Sequence, residues 1–343
     1  MLVITSERFG EHTTPPGHPE SPERAEVMDA VAADWRGRGG STAEPRLATR
    51  DELARVHDPA YLDGLERVRG RPARLDPDTY TSPETLAIAA LAAGAAIEAT
   101  RYAMDGSGAA LALVRPPGHH AEADRAMGFC FYNSAAVAAA DARARGASRV
   151  AVVDIDVHHG NGTQSMFYED PAVLYVSTHQ YPFYPGTGAA GEVGEGAGRG
   201  FTVNVPLEVG ATDADYLLVY EQIVAPVIES FAPDVLLVSA GFDAHERDPL
   251  AGMRVSTEGY TAIVRILRDL AIRASRGRIA MVTEGGYDLR ALGGCLSASI
   301  GVLSGARDSA GVELGATGSA DGRRGRAAAA AVRAVQKSFW PRL

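Results

Sequence analysis

Arg149-Val150-Ala151-Val152-Val153-Asp154-Ile155-Asp156-Val157-His158-His159-Gly160-Asn161-Gly162 is the stretch on which the reading of this chain turns. Arg149 to Val157 predicts an apolar strand that ends among carboxylates and imidazoles. Successive side chains alternate faces along a strand, so Asp154, Asp156 and His158 point one way while Ile155 and Val157 point the other. Two carboxylates buried on one edge, followed by a histidine, are costly unless hydrogen bonds or a cation compensate. One such residue alone reads as a turn cap or a satisfied core group. The three together point to a divalent metal.

Working outward, the 343 residues are 46% hydrophobic, which suits a globular chain with a substantial core. No apolar stretch approaches transmembrane length without polar interruption, and Met1-Leu2-Val3-Ile4-Thr5-Ser6-Glu7 reads as a first strand rather than a signal peptide. A cytoplasmic protein without a membrane partner is expected. A net charge of −10 argues against a broad phosphate-binding surface, and hence against nucleic acid. Cys130 and Cys295 are too few for a disulfide framework, which fits a reducing compartment.

Short Val-rich runs alternate with long Ala-rich segments. Strands are expected at Leu2–Thr5, Ala110–Val114, Val150–Asp154, Val173–Ser177, Thr202–Val205, Val235–Ser239 and Ile279–Thr283. Helices are expected at Ser21–Arg36, Arg50–Arg67, Pro83–Met104, Ser134–Arg145, Asp213–Ser230, Ser256–Ser275 and Arg324–Phe339. Ser21 before Pro22 and Ser82 before Pro83 read as N-caps with proline at the first helical position. The alternation predicts a single α/β domain, a three-layer α/β/α sandwich around a mainly parallel sheet. Gly186–Gly200 fits no phosphate-binding pattern and reads as a mobile site rim or surface loop, and Gly305–Arg323 as a flexible connector to a C-terminal helix.

In such sheets, sites gather beyond the carboxyl ends of strands. Four segments fall there: Arg115-Pro116-Pro117-Gly118-His119-His120, the opening stretch, Ala240-Gly241-Phe242-Asp243-Ala244-His245 and Glu284-Gly285-Gly286-Tyr287. A catalytic zinc takes three protein ligands and leaves one position open, a set that Asp156, His158 and Asp243 can supply. One imidazole of His119-His120 could move protons, with Asp154 and Asn161 orienting the rings. Tyr287 could donate to a developing oxyanion. Each has a plainer reading by itself: Asp243 as a cap, the His pair as structural, Tyr287 as a turn residue.

Taken together and in order, the four segments resemble the zinc-dependent histone deacetylase family of the arginase/deacetylase fold. The similarity runs from His18-Pro19-Glu20-Ser21-Pro22-Glu23-Arg24 to Phe339-Trp340-Pro341. Arg115–Cys130, with Met127-Gly128-Phe129-Cys130, is most similar to the class II branch and its bacterial relatives, as is Asn161, where class I members usually carry Asp. The resemblance implies one zinc on Asp156, His158 and Asp243, His120 as general base and then acid, His119 as its electrostatic partner and Tyr287 as the carbonyl-polarising donor. It further implies a narrow acyl-lysine tunnel walled by Phe129 and Tyr184 and lined by Gly128, with Cys130 and Arg24 near its floor. Tyr184 departs from the Phe usual there. A structural monovalent cation, potassium, is implied at Asp154, Asp156, His158, Ser177 and Thr178, and a second at Phe167, Asp170, Val173 and Phe201.

The implied substrate is an acylated lysine side chain, a peptide carrying one, or a small N-acyl amine. The span Arg67 to Val114 lacks the long insertion of one polyamine-deacetylase branch. Asp248-Pro249-Leu250 places an apolar residue where another branch has an acidic gatekeeper. Both features favour a broader acyl-lysine or small N-acyl substrate over an acetylpolyamine. Asp78 could accept from a substrate amide. Alternatives are a polyamine or small-metabolite deacetylase, a two-manganese ureohydrolase of the same fold, and a non-catalytic acyl-lysine reader. A homo-oligomer is a further expectation.

Overall fold

Ala110–Ala112, Val150–Asp154, Val235–Ala240 and Ile279–Thr283 are buried along their whole length. Apolar strands without a solvated face need cover on both sides. The computed structural model describes residues 1–106, 108–306 and 321–343. There, eight strands form one parallel sheet: β1 (Leu2–Ile4), β2 (Ser41–Ala43), β3 (Ala110–Ala112), β4 (Val150–Asp154), β5 (Val173–Gln180), β6 (Thr202–Leu207), β7 (Val235–Ala240) and β8 (Ile279–Thr283). Their spatial order is β2-β1-β3-β8-β7-β4-β5-β6.

Strand alternation divides the core in two. Ala151, Val153, Ile155 and Val157 join one apolar cluster with the helical segments of 213–231, Thr257–Ala274, Leu289–Leu303 and Arg323–Gln336. Val150 and Val152 join the other, with the alanine faces of Thr85–Met104 and Ser134–Ala144. Three layers result, as expected. β3, β8, β7 and β4 are neighbours at the centre, with Ala112, Val282, Ser239 and Asp154 in one row. The four segments singled out in the sequence therefore leave the same stretch of sheet edge.

Several expectations need correction. Of the apolar run Arg149–Val157, β4 covers Val150–Asp154, as the strand list expected; beyond it Asp154 Oδ1 accepts the Asp156 N–H and Asp156 Oδ1 accepts the His158 N–H. Two successive Asx turns shape the chain there, while the Ile155 N–H still donates to the Ser239 carbonyl and the Val157 carbonyl accepts the Gln180 N–H. Ser21 and Ser82 do not cap: the helices run Glu23–Gly37 and Thr85–Met104, with no side-chain cap bond at either start. The segment Arg50–Arg67 is two helices, Arg50–Leu53 and Pro59–Glu66, since the residue before a proline avoids the helical region. The helical segment of 213–231 carries a π turn, Tyr220–Val224, just ahead of Pro226. Edge strand Ser41–Ala43 and helices Asn161–Phe167 and Leu289–Leu303 were not expected.

Helix Thr85–Met104 is, by length and composition, apolar enough to cross a membrane, contrary to the sequence reading. Its burial against the sheet accounts for that apolarity, since 78% of its most apolar window is enclosed. Loop Gly186–Gly200 is anchored rather than free. Glu192 accepts from the Gly188 and Ala189 amides and from Gln164, and His179 Nε2 donates to the Gly188 carbonyl at 2.8 Å. Of the connector Gly305–Arg323, residues 307–320 lie outside the described residues.

Candidate metal centre and active site

Asp156 and His158 follow β4, and Asp243 follows β7, the adjacent strand. All three are buried, and they offer ligand atoms within 4.8 Å of one another. His158 Nδ1 lies 3.1 Å from Asp156 Oδ1 and 3.1 Å from Asp243 Oδ2. The second oxygens are already used: Asp156 Oδ2 accepts the Gly285 N–H at 2.8 Å, and Asp243 Oδ1 accepts the Val157 N–H at 2.8 Å. Each carboxylate is thus aimed by a backbone amide. Gly285 must be glycine for this, since a Cβ there would fall 2.1 Å from Asp243 Oδ2.

The donor set fits a divalent ion. Burial, then the facing Asp156, pushes the Asp243 carboxyl up to about 7. Burial opposes charge on His158, yet bonding to Asp156 and Asp243 raises it to about 10. The two carboxylates thus favour positive charge beside them even where water is excluded. Two carboxylates and an imidazole at this spacing are a donor set that suits zinc.

The loop after β3 lays His119 and His120 beside this triangle. His119 Nδ1 bonds Asp154 Oδ2 at 3.0 Å, and its Nε2 is 3.8 Å from Asp156 Oδ1. Tyr175 also donates to Asp154 Oδ2. Burial disfavours charge on His119, but Asp156 and Asp154 carry its pKa well above the ordinary histidine value. His120 Nδ1 bonds Asn161 Oδ1 at 2.8 Å, and Asn161 Nδ2 donates to Glu122 Oε1 at 2.6 Å, which settles the amide's orientation. Burial, then His119 and His158, hold His120 well below the ordinary value. The adjacent imidazoles are thereby split, one favouring the charged form and one the neutral.

Tyr287 follows β8. Its peptide is held from both sides: Arg24 Nε donates to the Gly286 carbonyl at 2.9 Å, and the Tyr287 N–H donates to Asp248 Oδ2 at 2.7 Å. The Arg24 guanidinium lies 5.1 Å from the Tyr287 ring centroid. Burial raises the phenol well above its ordinary pKa, so it keeps its proton. Buried Glu284 accepts from the Gly118 N–H at 2.6 Å, the His119 N–H at 3.2 Å and Ser239 Oγ at 3.1 Å. It ties the His-His loop to β7 and β8.

Phe129 adopts φ +68° and stands edge-on to Tyr287, with centroids 5.9 Å apart. Tyr184 stands edge-on to His120 at 5.1 Å. Gly128, at φ +56°, fills the space between: a Cβ there would lie 2.5 Å from the His120 ring and 3.0 Å from the Tyr184 hydroxyl. Cys130 is buried with Sγ 3.2 Å from the Gly128 carbonyl. Leu250 is partly buried on the loop after β7. Asp78 is partly buried, accepts from Thr79 Oγ1, and is pushed up to about 6 by burial and Asp76. Ser177 is paired with Asp154 across β5 and β4, and Thr178 Oγ1 reaches the Asp154 carbonyl at 3.5 Å. The Phe167, Asp170 and Phe201 carbonyls accept from the Asp170, Val173 and Tyr175 amides, which brings that second group together. His159 turns away, to Thr187 and Gln164.

Sequence reasoning missed Phe183, which stacks on His158 at 5.4 Å and 17°, together with the bracing roles of Glu122, Tyr175, Glu284 and Asp248. Glu122 and Glu284 stood inside quoted segments. Glu284 carried a signal, a carboxylate directly after an apolar strand, whereas Glu122 lies in a polar stretch, and only the fold supplies the partners of either.

Residues 18–303 match the histone deacetylase domain family. Histone deacetylase 15 of Arabidopsis thaliana is 39% identical over 335 residues, covering 95% of this chain and 59% of that protein. The histone deacetylase-like amidohydrolase of Pseudomonas aeruginosa is 41% identical over 300 residues, 85% of this chain and 78% of its own. A probable deacetylase of Methanothermobacter thermautotrophicus is 42% identical over 299 residues, covering 85% of this chain and 87% of its own. The crystal structure of the HDA15 HD domain superposes with a TM-score of 0.90 at 38% identity, over 99% of this chain and 95% of that one. With the match spanning most of the chain and the fold agreeing throughout, this protein belongs to the histone deacetylase family and has the arginase/deacetylase fold.

Proposed function

We propose that this chain is a zinc-dependent deacylase that hydrolyses the amide of an N-acyl-lysine or a related N-acyl amine. The observation that carries the reading is the placement of a buried Asp156–His158–Asp243 triangle beside two histidines of opposite protonation tendency. Asp156, His158 and Asp243 would hold the zinc. When bound, the ion supplies Lewis acidity, polarising the acyl carbonyl and making a water more acidic.

The remaining work falls to this chain's own groups. Neutral His120, its Nδ1–H engaged by Asn161, presents Nε2 to take a proton from the attacking water. The C–O bond forms as the carbonyl π electrons move to oxygen, and the Tyr287 hydroxyl donates to that developing negative charge. The C–N bond then breaks, its electron pair goes to nitrogen, and His120 returns the proton there. The carbonyl re-forms, and the products are a carboxylic acid and an amine, which become a carboxylate and an ammonium once the acid's proton passes to the amine. His119, charged and held by Asp154, keeps His120 from remaining protonated. Phe129, Tyr184 and Gly128 would wall the tunnel for the acyl-lysine stem. Asp78 would receive a substrate amide, and Leu250 would favour an apolar stem over a cationic one. Potassium at Asp154, Asp156, His158, Ser177 and Thr178 belongs to the same proposal.

The experiment is a panel of acetyl-lysine peptides, longer acyl-lysines, acetylpolyamines and small N-acetyl metabolites, assayed on zinc-loaded protein. Hydrolysis of acyl-lysine above acetylpolyamine is expected. Tight acyl-lysine binding without turnover would indicate a reader, and two bound metal ions per chain a ureohydrolase.

A further inference from the structure

We propose that Asp248 is a positioning residue that sets both the Tyr287 donor and the specificity position Leu250. This inference rests on the role given to Tyr287 above. Asp248 follows β7 by eight residues and is buried. Its two oxygens do separate jobs. Oδ1 accepts the Leu250 N–H at 3.0 Å, closing an Asx turn across Pro249. Oδ2 reaches across to the segment after β8, where it accepts the Tyr287 N–H at 2.7 Å and the Asp288 N–H at 3.4 Å.

The geometry makes this carboxylate more than a local cap. The Gly286–Tyr287 peptide is gripped at its carbonyl by Arg24 Nε and at its N–H by Asp248. Gly286 sits at φ +123°, a conformation that side-chain sterics do not enforce. The peptide's orientation, and with it the direction of the tyrosine Cα–Cβ bond, is therefore set by its two polar partners. A charged acceptor receiving amide donors gives short, directional bonds. The position of Asp248 is itself pinned by its own N–H, which donates to the His245 carbonyl at 2.8 Å. One side chain thus links the loop after β7, which carries Leu250, to the loop after β8, which carries Tyr287.

Asn at this position keeps size but offers one acceptor oxygen and one NH2 group. Either the Leu250 amide or the Tyr287 amide then faces a donor, and one of the two bonds is lost. Ala removes both. The test is a double-mutant cycle of Asp248→Asn and Tyr287→Phe, read as kcat and KM on an acetyl-lysine peptide. Metal content and thermal midpoint are measured on every variant. Asp248→Asn in the native background is expected to lower kcat about tenfold or more with zinc retained. In the Tyr287→Phe background the same change should cost little, because there is no hydroxyl left to place. A shift in the acetyl-lysine to acetylpolyamine ratio is expected in Asp248→Ala, and not in Tyr287→Phe alone.

Additive losses in the cycle, or a native kcat in Asp248→Asn, would overturn the assignment while leaving the tyrosine's role intact. A near-native Tyr287→Phe would overturn both. If Asp248→Asn fails to fold or load zinc, Asp248→Glu, which keeps the charge and both acceptor oxygens but moves them by one methylene, goes through the same cycle. A loss of kcat in the native background that disappears in the Tyr287→Phe background supports the assignment. Equal losses in the two backgrounds count against it.

Discussion

His120 Nδ1 lies 2.8 Å from Asn161 Oδ1, a neutral acceptor, whereas its neighbour His119 faces the carboxylate of Asp154. The uncharged acceptor leaves burial and the neighbouring His119 and His158 to hold His120 low, whereas the carboxylates facing His119 raise it. A carboxylate in place of the amide would stabilise the imidazolium and raise the pKa of His120. In Asn161→Asp, the acidic limb of the kcat/KM profile should move to higher pH by about one unit. An unshifted limb would remove His120 from that ionisation.

Tyr287 keeps its phenolic proton because burial raises its pKa. Tyr287→Phe removes the donor without altering the metal ligands. Turnover should fall by about 10²–10³ while zinc stays bound, as metal analysis will show. Turnover close to wild type contradicts the assigned role.

Chelation should abolish deacylation, and added zinc should restore it. The thermal midpoint should fall on chelation as well, because the proposed ion would balance the buried carboxylates of Asp156 and Asp243. Activity that survives exhaustive chelation is incompatible with the proposed chemistry.

Gly285→Ala places a methyl group 2.1 Å from Asp243 Oδ2 and 2.7 Å from Asp156 Oδ2. The carboxylates must move apart or the loop after β8 must retreat. Zinc per chain is expected to drop from one towards zero. Full occupancy with native affinity would show that the loop yields instead.

Two buried histidines make stability depend on pH. His57 donates from Nδ1 to the Glu122 carbonyl and accepts the Asn133 N–H at Nε2. His179 bonds Ser177 and the Gly188 carbonyl. Burial lowers both to about 4, against an ordinary 6.5. Above pH 6.5 both states are neutral and the full stability is present. Below it, the unfolded chain takes up protons that the fold excludes, so stability falls down to about pH 4, by on the order of 3 kcal/mol per histidine. Urea midpoints at pH 7 and pH 4.5 measure this, and equal midpoints would refute it.

The chain alone specified a great deal here. Val-rich runs at 150–154, 235–239 and 279–283 announced buried parallel strands, because strands covered on both faces have no polar side. Asp156, His158 and Asp243 stood out as candidates because polar groups after apolar strands require partners, whereas His119, His120 and Tyr287 took their roles from the resemblance of the four segments taken together. Less was legible where structure depends on context. Edge strand Ser41–Ala43 has no apolar pattern, and helix Leu289–Leu303 was obscured by its glycines and serines.

The opening stretch shows the division most clearly. Alternation put Asp154, Asp156 and His158 on one side, and the side chains do lie there, although Asx turns shape the chain beyond Asp154. What no local pattern could state is that β3, β8, β7 and β4 are neighbours. Sheet order arises from crossovers spanning dozens of residues, and it alone brings Asp243 to His158, Glu284 to His119 and Asp248 to Tyr287. Residue chemistry is written locally; which buried charge meets which backbone amide is decided only when the whole sheet has assembled.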